Sequence, residues 1–317
     1  MVTRKILIML ITFITFAGCM NKKQTATRSV YYWSTVFDIN TSKKEFIKEH
    51  RINKIYLRFF DVVEDNNNTP APNATVMFKT SVPRNIEIVP VVYIMNNCMK
   101  GNIHILAERI LTRIEKMCDT NDVRGVKEIQ IDCDWTDRTR NSFFAFIRCL
   151  KKMANSKGIK VSCTIRLHQL SQTEPPADKG ILMMYNTGDF TKLDCQKPIL
   201  DTKDVLPYIK GISNYKLPLA TAYPIFGWKI LFREKQYVGI IHADDELPIL
   251  SGDSIVDRHP DLADIIDAKS IVEKRNSKAN NEIILFDLSN KNINRYKKSD
   301  YEKIYNRNIC SNDLNKQ

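Results

Sequence analysis

The segment Glu128-Ile129-Gln130-Ile131-Asp132-Cys133-Asp134-Trp135 alternates polar and apolar side chains. Successive side chains of a strand take opposite faces, so Gln130, Asp132 and Asp134 share one face and Ile129, Ile131, Cys133 and Trp135 the other. Residues 160–168 repeat the pattern, with Ser162, Thr164, Arg166 and His168 set against Val161, Cys163, Ile165 and Leu167. Neighbouring strands lie about 4.8 Å apart, which brings two carboxylates, a guanidinium and an imidazole within pairing range. Paired carboxyl groups suit acid–base chemistry, in which one gives a proton and another takes one. Asp132 and Asp134 are the candidate catalytic pair, with Asp134 as acid or substrate-orienting group and Asp132 as its supporting partner. Arg166 and His168 then bind substrate or tune the pair. The competing reading is a carboxylate–arginine network that only fills a protein interior, because unpaired buried charge is costly.

These residues need a frame that ends several strands at one place. From residue 30 onward, strand-like apolar runs alternate with amphipathic segments, which favours a β/α architecture. Strands are predicted at 30–37, 54–61, 86–95, 128–134, 160–167, 181–185, 217–223 and 282–287, and helices at 42–50, 103–118, 138–156, 201–209, 263–275 and 293–305. In the helix at 138–156, Phe143, Phe144, Ile147, Leu150 and Met153 recur at helical spacing after Thr136 or Asp137, either of which could cap it. Eight such units fit an α/β fold of the (β/α)8 TIM-barrel type, whose usual size is about 250 residues. A doubly wound open sheet is the rival, but no glycine-rich phosphate loop follows any strand. Insertions are expected after strand two, at VVEDNNNTPAPNAT, and after strand seven, at 227–281, where a hairpin is predicted at 230–233 and 237–242.

A barrel gathers its strand ends at one mouth, where such enzymes keep their active sites. Arg58 and Asp61 end strand two, Tyr185 and Asn186 follow strand six, Tyr223 and Trp228 follow strand seven, and Asp287 ends strand eight; Trp33 lies in strand one. Aromatic faces pack on sugar rings, while Asn and Tyr supply directed hydrogen bonds. Together these residues point to a carbohydrate pocket, although core packing and loop capping explain each one taken singly.

Gln130-Ile131-Asp132-Cys133-Asp134-Trp135, Thr164-Ile165-Arg166-Leu167-His168-Gln169 and Met183-Met184-Tyr185-Asn186 resemble bacterial lipoproteins of the Bacteroidetes type with a glycosidase-like barrel. The resemblance adds Gln169 to the substrate-binding candidates. The fourth strand is also similar to that of chitinase-like glycoside hydrolases, which carry Asp-x-x-Asp-x-Asp-x-Glu. Asp132 and Asp134 take the second and third acidic positions; the first falls on Ile129 and the last, the family's proton donor, on Thr136. Carboxylates at i and i+2 have backbones about 6.6 Å apart, between the retaining and inverting separations, so spacing selects neither outcome. Asp61, Asp189 or Asp287 is left to supply an acid across the mouth.

The first residues read as a signal segment: Arg4 and Lys5, an apolar run from Ile6 to Phe16, then Ala17-Gly18-Cys19. The apolar run is shorter than the roughly twenty residues that span a bilayer. Phe16-Ala17-Gly18-Cys19 resembles a lipobox, which implies cleavage after residue 18, lipidation of Cys19 and a flexible tether over 19–29. The barrel domain is expected over 30–310. An export signal whose Cys19 is incidental is the alternative. Loss of Arg4 and Lys5 lowers the formal charge from +12 to +10, which suits anionic headgroups, acidic polysaccharide or nucleic acid, or simply a solvated basic face. Seven cysteines follow Cys19 without close spacing; an odd number cannot all pair internally, and most read as small buried hydrophobes. No cofactor, metal or nucleic-acid partner is expected. The expected partners are a carbohydrate and, through the anchor, a membrane, with the chain a monomer in the cell envelope. Three functions fit: an envelope glycoside hydrolase, a lectin-like lipoprotein that kept the pocket and lost the acid, and a structural envelope protein.

Overall fold

The computed structural model describes residues 26–241 and 249–307. Cys19, Cys310, His242 and the expected leader and tether through residue 25 lie outside the described residues. Eight parallel strands, β1 (Thr27–Tyr32), β2 (Lys54–Glu64), β3 (Glu87–Ile94), β4 (Glu128–Asp132), β5 (Lys160–Arg166), β6 (Lys179–Met183), β7 (Leu219–Pro224) and β8 (Glu282–Phe286), each pair with the next. β1 pairs with both β2 and β8, so the sheet closes into the expected TIM barrel. β1 starts at Thr27, which moves residues 27–29 from the expected tether into the barrel, and it ends at Tyr32. Val36–Phe37, read as part of the same strand, instead pairs with Met77–Phe78.

Alternation sorts the strands into two cores. Ile129, Ile131, Val161, Cys163 and Ile165 face outward into the large core beneath the helices. Tyr31, Tyr56, Val89, Val91, Ile181, Met183, Ala220, Ala222 and Ile284 fill the barrel interior. The helices are α1 (Thr41–Glu49), α2 (Ile103–Thr120), α3 (Arg140–Asn155), α4 (Thr202–Ile209), α5 (Leu262–Arg275), α6 (Asn290–Ile293) and α7 (Lys298–Tyr305). Asn40 and Asn102 cap α1 and α2, their side chains accepting from Lys43 N and Ile105 N, as short polar side chains at helix starts do. The expected capping of α3 by Thr136 or Asp137 does not occur. The helix starts after Thr139, whose Oγ1 instead accepts from Thr136 N at 3.0 Å.

Two of the seven strand-to-strand connections carry no α-helix. The polar, proline-bearing segment after β2 places Pro70–Asn73 antiparallel to the end of β2. After β5 comes only the 3-10 turn Leu167–Ser171. Between β7 and α5 stand three antiparallel strands, Trp228–Arg233, Gln236–Ile241 and Asp253–Arg258. At the N-terminal end of the strands the barrel is closed by charge: Lys179 Nζ lies 2.7 Å from Glu128, 2.9 Å from Glu282 and 2.9 Å from the Tyr56 hydroxyl. Lys54 supports the same two carboxylates at 3.5 and 3.6 Å. Six cysteines among the described residues are free thiols, and Cys98, Cys118, Cys133 and Cys163 are buried. Burial pushes the Cys98 and Cys118 thiols up to about 11, as expected for inert packing groups.

Candidate functional site

Strand register sets the first part of the site. Asp61 on β2 stands opposite Tyr93 on β3, and Tyr93 opposite Asp132 on β4, so all three lie at one level near the C-terminal ends. These ends open into a cavity of about 1220 Å³. Its polar wall includes Arg58, Asp61, Tyr93, Asp132 and Arg166, and its aromatic wall Trp33, Tyr185, Phe226, Trp228 and Phe286; Asn186 and Asp287 also line it. The rings form a connected surface: Phe286 lies 5.1 Å from Tyr185, 5.5 Å from Trp33 and 5.6 Å from Phe226 between centroids, and Phe226 lies 5.3 Å from Trp228. Trp228 stands on the first strand of the antiparallel sheet, so this sheet builds one side of the cavity.

Arg166 organises the β4 side. Its Nη2 approaches Asp132 Oδ1 at 3.3 Å and its Nε donates to Asp134 Oδ1 at 2.5 Å. Thr164 Oγ1 donates to the same Asp132 oxygen at 2.7 Å. Burial pushes the Asp132 carboxyl up, while Arg166 and Thr164 pull it back and the nearby Asp134 and Asp61 add to the rise. On the β2 side Arg58 grips Asp61 with both ends of its fork, Nε to Oδ1 at 2.8 Å and Nη2 to Oδ2, and lies over the Trp33 ring at 5.4 Å. Such two-point pairing orients both groups. Two carboxylates of the cavity, Asp61 and Asp132, are therefore each held by an arginine.

Asp287 differs from them. It follows β8 directly, and the Asn292 side-chain amide donates to its Oδ1; among the described residues it forms no ion pair. Burial pushes its carboxyl up to about 6, against the Asn292 hydrogen bond and the charge of Lys43.

Several residues predicted for the site stand elsewhere. β4 ends at Asp132, so Asp134 lies past the strand; it is 55 % exposed and braces Arg166 from outside the cavity lining. β5 ends at Arg166, and His168 falls in the following 3-10 turn, exposed and away from the cavity. Gln169 is buried in that turn, where its Oε1 accepts from Arg166 N at 2.8 Å and its Nε2 donates to Trp135 O at 3.3 Å. It positions Arg166 rather than touching the cavity. The turn is seated by Gly211, where a Cβ would stand 2.4 Å from the Leu170 carbonyl oxygen. Tyr223 is fully buried toward the helices, its hydroxyl donating to Asn280 at 3.0 Å. Asp189 is exposed, its carboxylate accepting from Thr191. Tyr93, Phe226 and Phe286 are cavity residues that sequence reasoning missed. Tyr93 shares the inward parity of Val89 and Val91, and that parity is the signal that would have found it.

Thr136, at the place of the chitinase-like proton donor, is exposed, and its hydroxyl lies 3.4 Å from that of Thr139. No protein-family model matches this chain, and no curated protein sequence matches it. Solved structures do. A chitinase from Chromobacterium violaceum is 12% identical with a TM-score of 0.58, covering 88% of this chain and 98% of that one. The spore cortex-lytic enzyme SleL of Bacillus cereus is 13% identical at 0.58, covering 91% and 76%, and a chitinase from Bacteroides thetaiotaomicron 14% identical at 0.58, covering 89% and 94%. At these identities the likeness is one of architecture: the chain shares the TIM-barrel fold of these enzymes.

Proposed function

We propose that this protein is a glycoside hydrolase-like lipoprotein that takes a glycan into the barrel mouth. The observation that carries this reading is an open cavity at the strand ends lined by Trp33, Tyr185, Phe226, Trp228 and Phe286 together with arginine-held carboxylates. Rings of this kind cover the apolar faces of a sugar, and the fixed Arg58–Asp61 and Arg166–Asp132 pairs offer donors and acceptors to its hydroxyls. A glycan array followed by a reducing-end assay tests it. Binding is expected, with roughly tenfold loss on Trp228→Ala, since one aromatic contact is worth about 1 kcal/mol beyond its buried area. An array without a bound glycan would discard the reading.

The lectin-like alternative is favoured by Thr136 at the expected donor position, and it predicts binding without release of reducing ends. The envelope location rests on the lipobox-like Phe16-Ala17-Gly18-Cys19. Cells fed a clickable fatty acid are expected to label the protein and to lose the label on Cys19→Ala; an unlabelled mature protein removes the anchor.

A further inference from the structure

In the closed strand order, β8 and β4 are four strands apart in either direction, so they face one another across the barrel. Asp132 ends β4 and Asp287 directly follows β8, and both line the one cavity. Both carboxyl groups therefore border the same mouth.

We propose that Asp287 is the acid that protonates the leaving oxygen, with Asp132 accepting the proton of the attacking water. The assignment deepens the hydrolase reading above and rests on it. An acid catalyst must hold a proton before the reaction, and guanidinium pairing opposes that. Asp61 is clamped by Arg58, and Asp132 keeps the Arg166 and Thr164 donors on one oxygen. Burial raises the Asp132 carboxyl, but both donors act against that rise and favour the ionised form, which suits a base. Burial raises the Asp287 carboxyl to about 6, against the Asn292 amide, a backbone hydrogen bond and the charge of Lys43, and no guanidinium clamps it among the described residues. Lys43 on α1 lowers its pKa, and the other charged groups lining the cavity are Lys229, Lys291 and the Arg58–Asp61 and Arg166–Asp132 pairs.

In the reaction, the Asp287 proton passes to the glycosidic oxygen as the bond from that oxygen to the anomeric carbon breaks, the bonding pair leaving with the oxygen. Water oxygen bonds to the anomeric carbon and gives its proton to the Asp132 carboxylate. Asp287 is left ionised and Asp132 protonated, and exchange with solvent restores both. Direct attack by water inverts the anomeric centre.

The test uses the full chain and the glycan it cleaves, with Asp287→Asn and Asn292→Ala variants and thermal melts to verify folding. Asp287→Asn is expected to lower kcat on that glycan by roughly 10²- to 10⁴-fold with little change in KM. It should largely retain its rate on the 2,4-dinitrophenyl glycoside of the same sugar, whose leaving group needs no proton. In the wild type, kcat/KM should fall as pH rises through about 6, and Asn292→Ala should move that limb upward because the anion loses its donor. Undiminished kcat in Asp287→Asn, equal losses on both substrates in a folded variant, a limb that Asn292→Ala leaves in place, or a product that retains configuration overturns the assignment. A wild type that binds glycan but releases no sugar also overturns it and leaves the lectin-like reading standing; an absence of binding removes both. If Asp287→Asn does not fold, the Asn292→Ala limb and the product configuration decide.

Discussion

Arg166→Met is expected to destabilise the protein by about 3–5 kcal/mol, the range for removing one partner of a buried ion pair, and to abolish ligand binding. Asp132 has a side chain 7 % exposed, and Arg166 is its only ion-pair partner among the described residues. Methionine matches the bulk of the arginine stem but carries no charge, so the carboxylate must either stay ionised without compensation or take up a proton. Asp134 also loses the group that draws it toward the mouth, but at 55 % exposure it returns to water at little cost. The measurement is the urea midpoint at unchanged m. The double variant Asp132→Asn/Arg166→Met should recover part of the loss, because the stranded charge is gone. An Arg166→Met protein within about 1 kcal/mol of wild type would mean that Asp132 is not held as an ion.

At the other end of the barrel, Lys179→Met is expected to cost about 3 kcal/mol at neutral pH, the lower end of the range for a broken buried pair. It takes the nearest ammonium from both Glu128 and Glu282, whose side chains are 8 % and 11 % exposed. Lys54 stays at 3.5 and 3.6 Å and limits the damage. The pH dependence follows from Glu282. Burial acts to raise its carboxyl, but Lys179, Lys54 and the hydrogen bonds from Lys179 and Ser29 outweigh burial and hold it below its ordinary value. A carboxyl depressed by folding contributes stability that is complete above its unfolded pKa of about 4.3 and is lost as pH falls through the folded value. The wild type therefore loses this stabilisation in acid, and the gap between wild type and Lys179→Met should narrow between pH 7 and pH 3 in urea unfolding. A gap that widens in acid would contradict the role of Lys179 as counter-ion.

The barrel was legible because bounded apolar runs recur between amphipathic segments and β4 and β5 alternate, so Ile129 and Ile131 could be assigned to one face and Gln130 and Asp132 to the other. The same rule explains what was misplaced. Alternation holds only while the chain stays extended, and it stops at Asp132 on β4 and at Arg166 on β5. Carrying it two residues further sent Asp134 and His168 into the cavity, whereas the chain turns there and takes one to the rim and the other to solvent. Tyr223 was misplaced for the opposite reason: its strand continues, and parity with Ala220 and Ala222 on the inner face puts it outside. Tyr93 was missed because its inward neighbours are valines, so no polar face drew attention to β3. Phe226 sits in a connection whose path depends on the antiparallel sheet, and no local pattern encodes that path. The Arg166–Asp132 pair was within reach of the alternation on two neighbouring strands, whereas the Arg58–Asp61 pair, three residues apart on β2, falls where β2 does not alternate strictly.

The direction of β1 bears on how the protein would sit at a surface. The chain enters the cylinder at Thr27, at the end sealed by Lys179, Glu128 and Glu282, and every strand then runs toward the cavity. An attachment upstream of Thr27 thus holds the molecule by its plugged base. Were that attachment the proposed lipid anchor, the opening would face away from the membrane like a cup standing on its foot, and a long polymer would reach it from the surrounding medium.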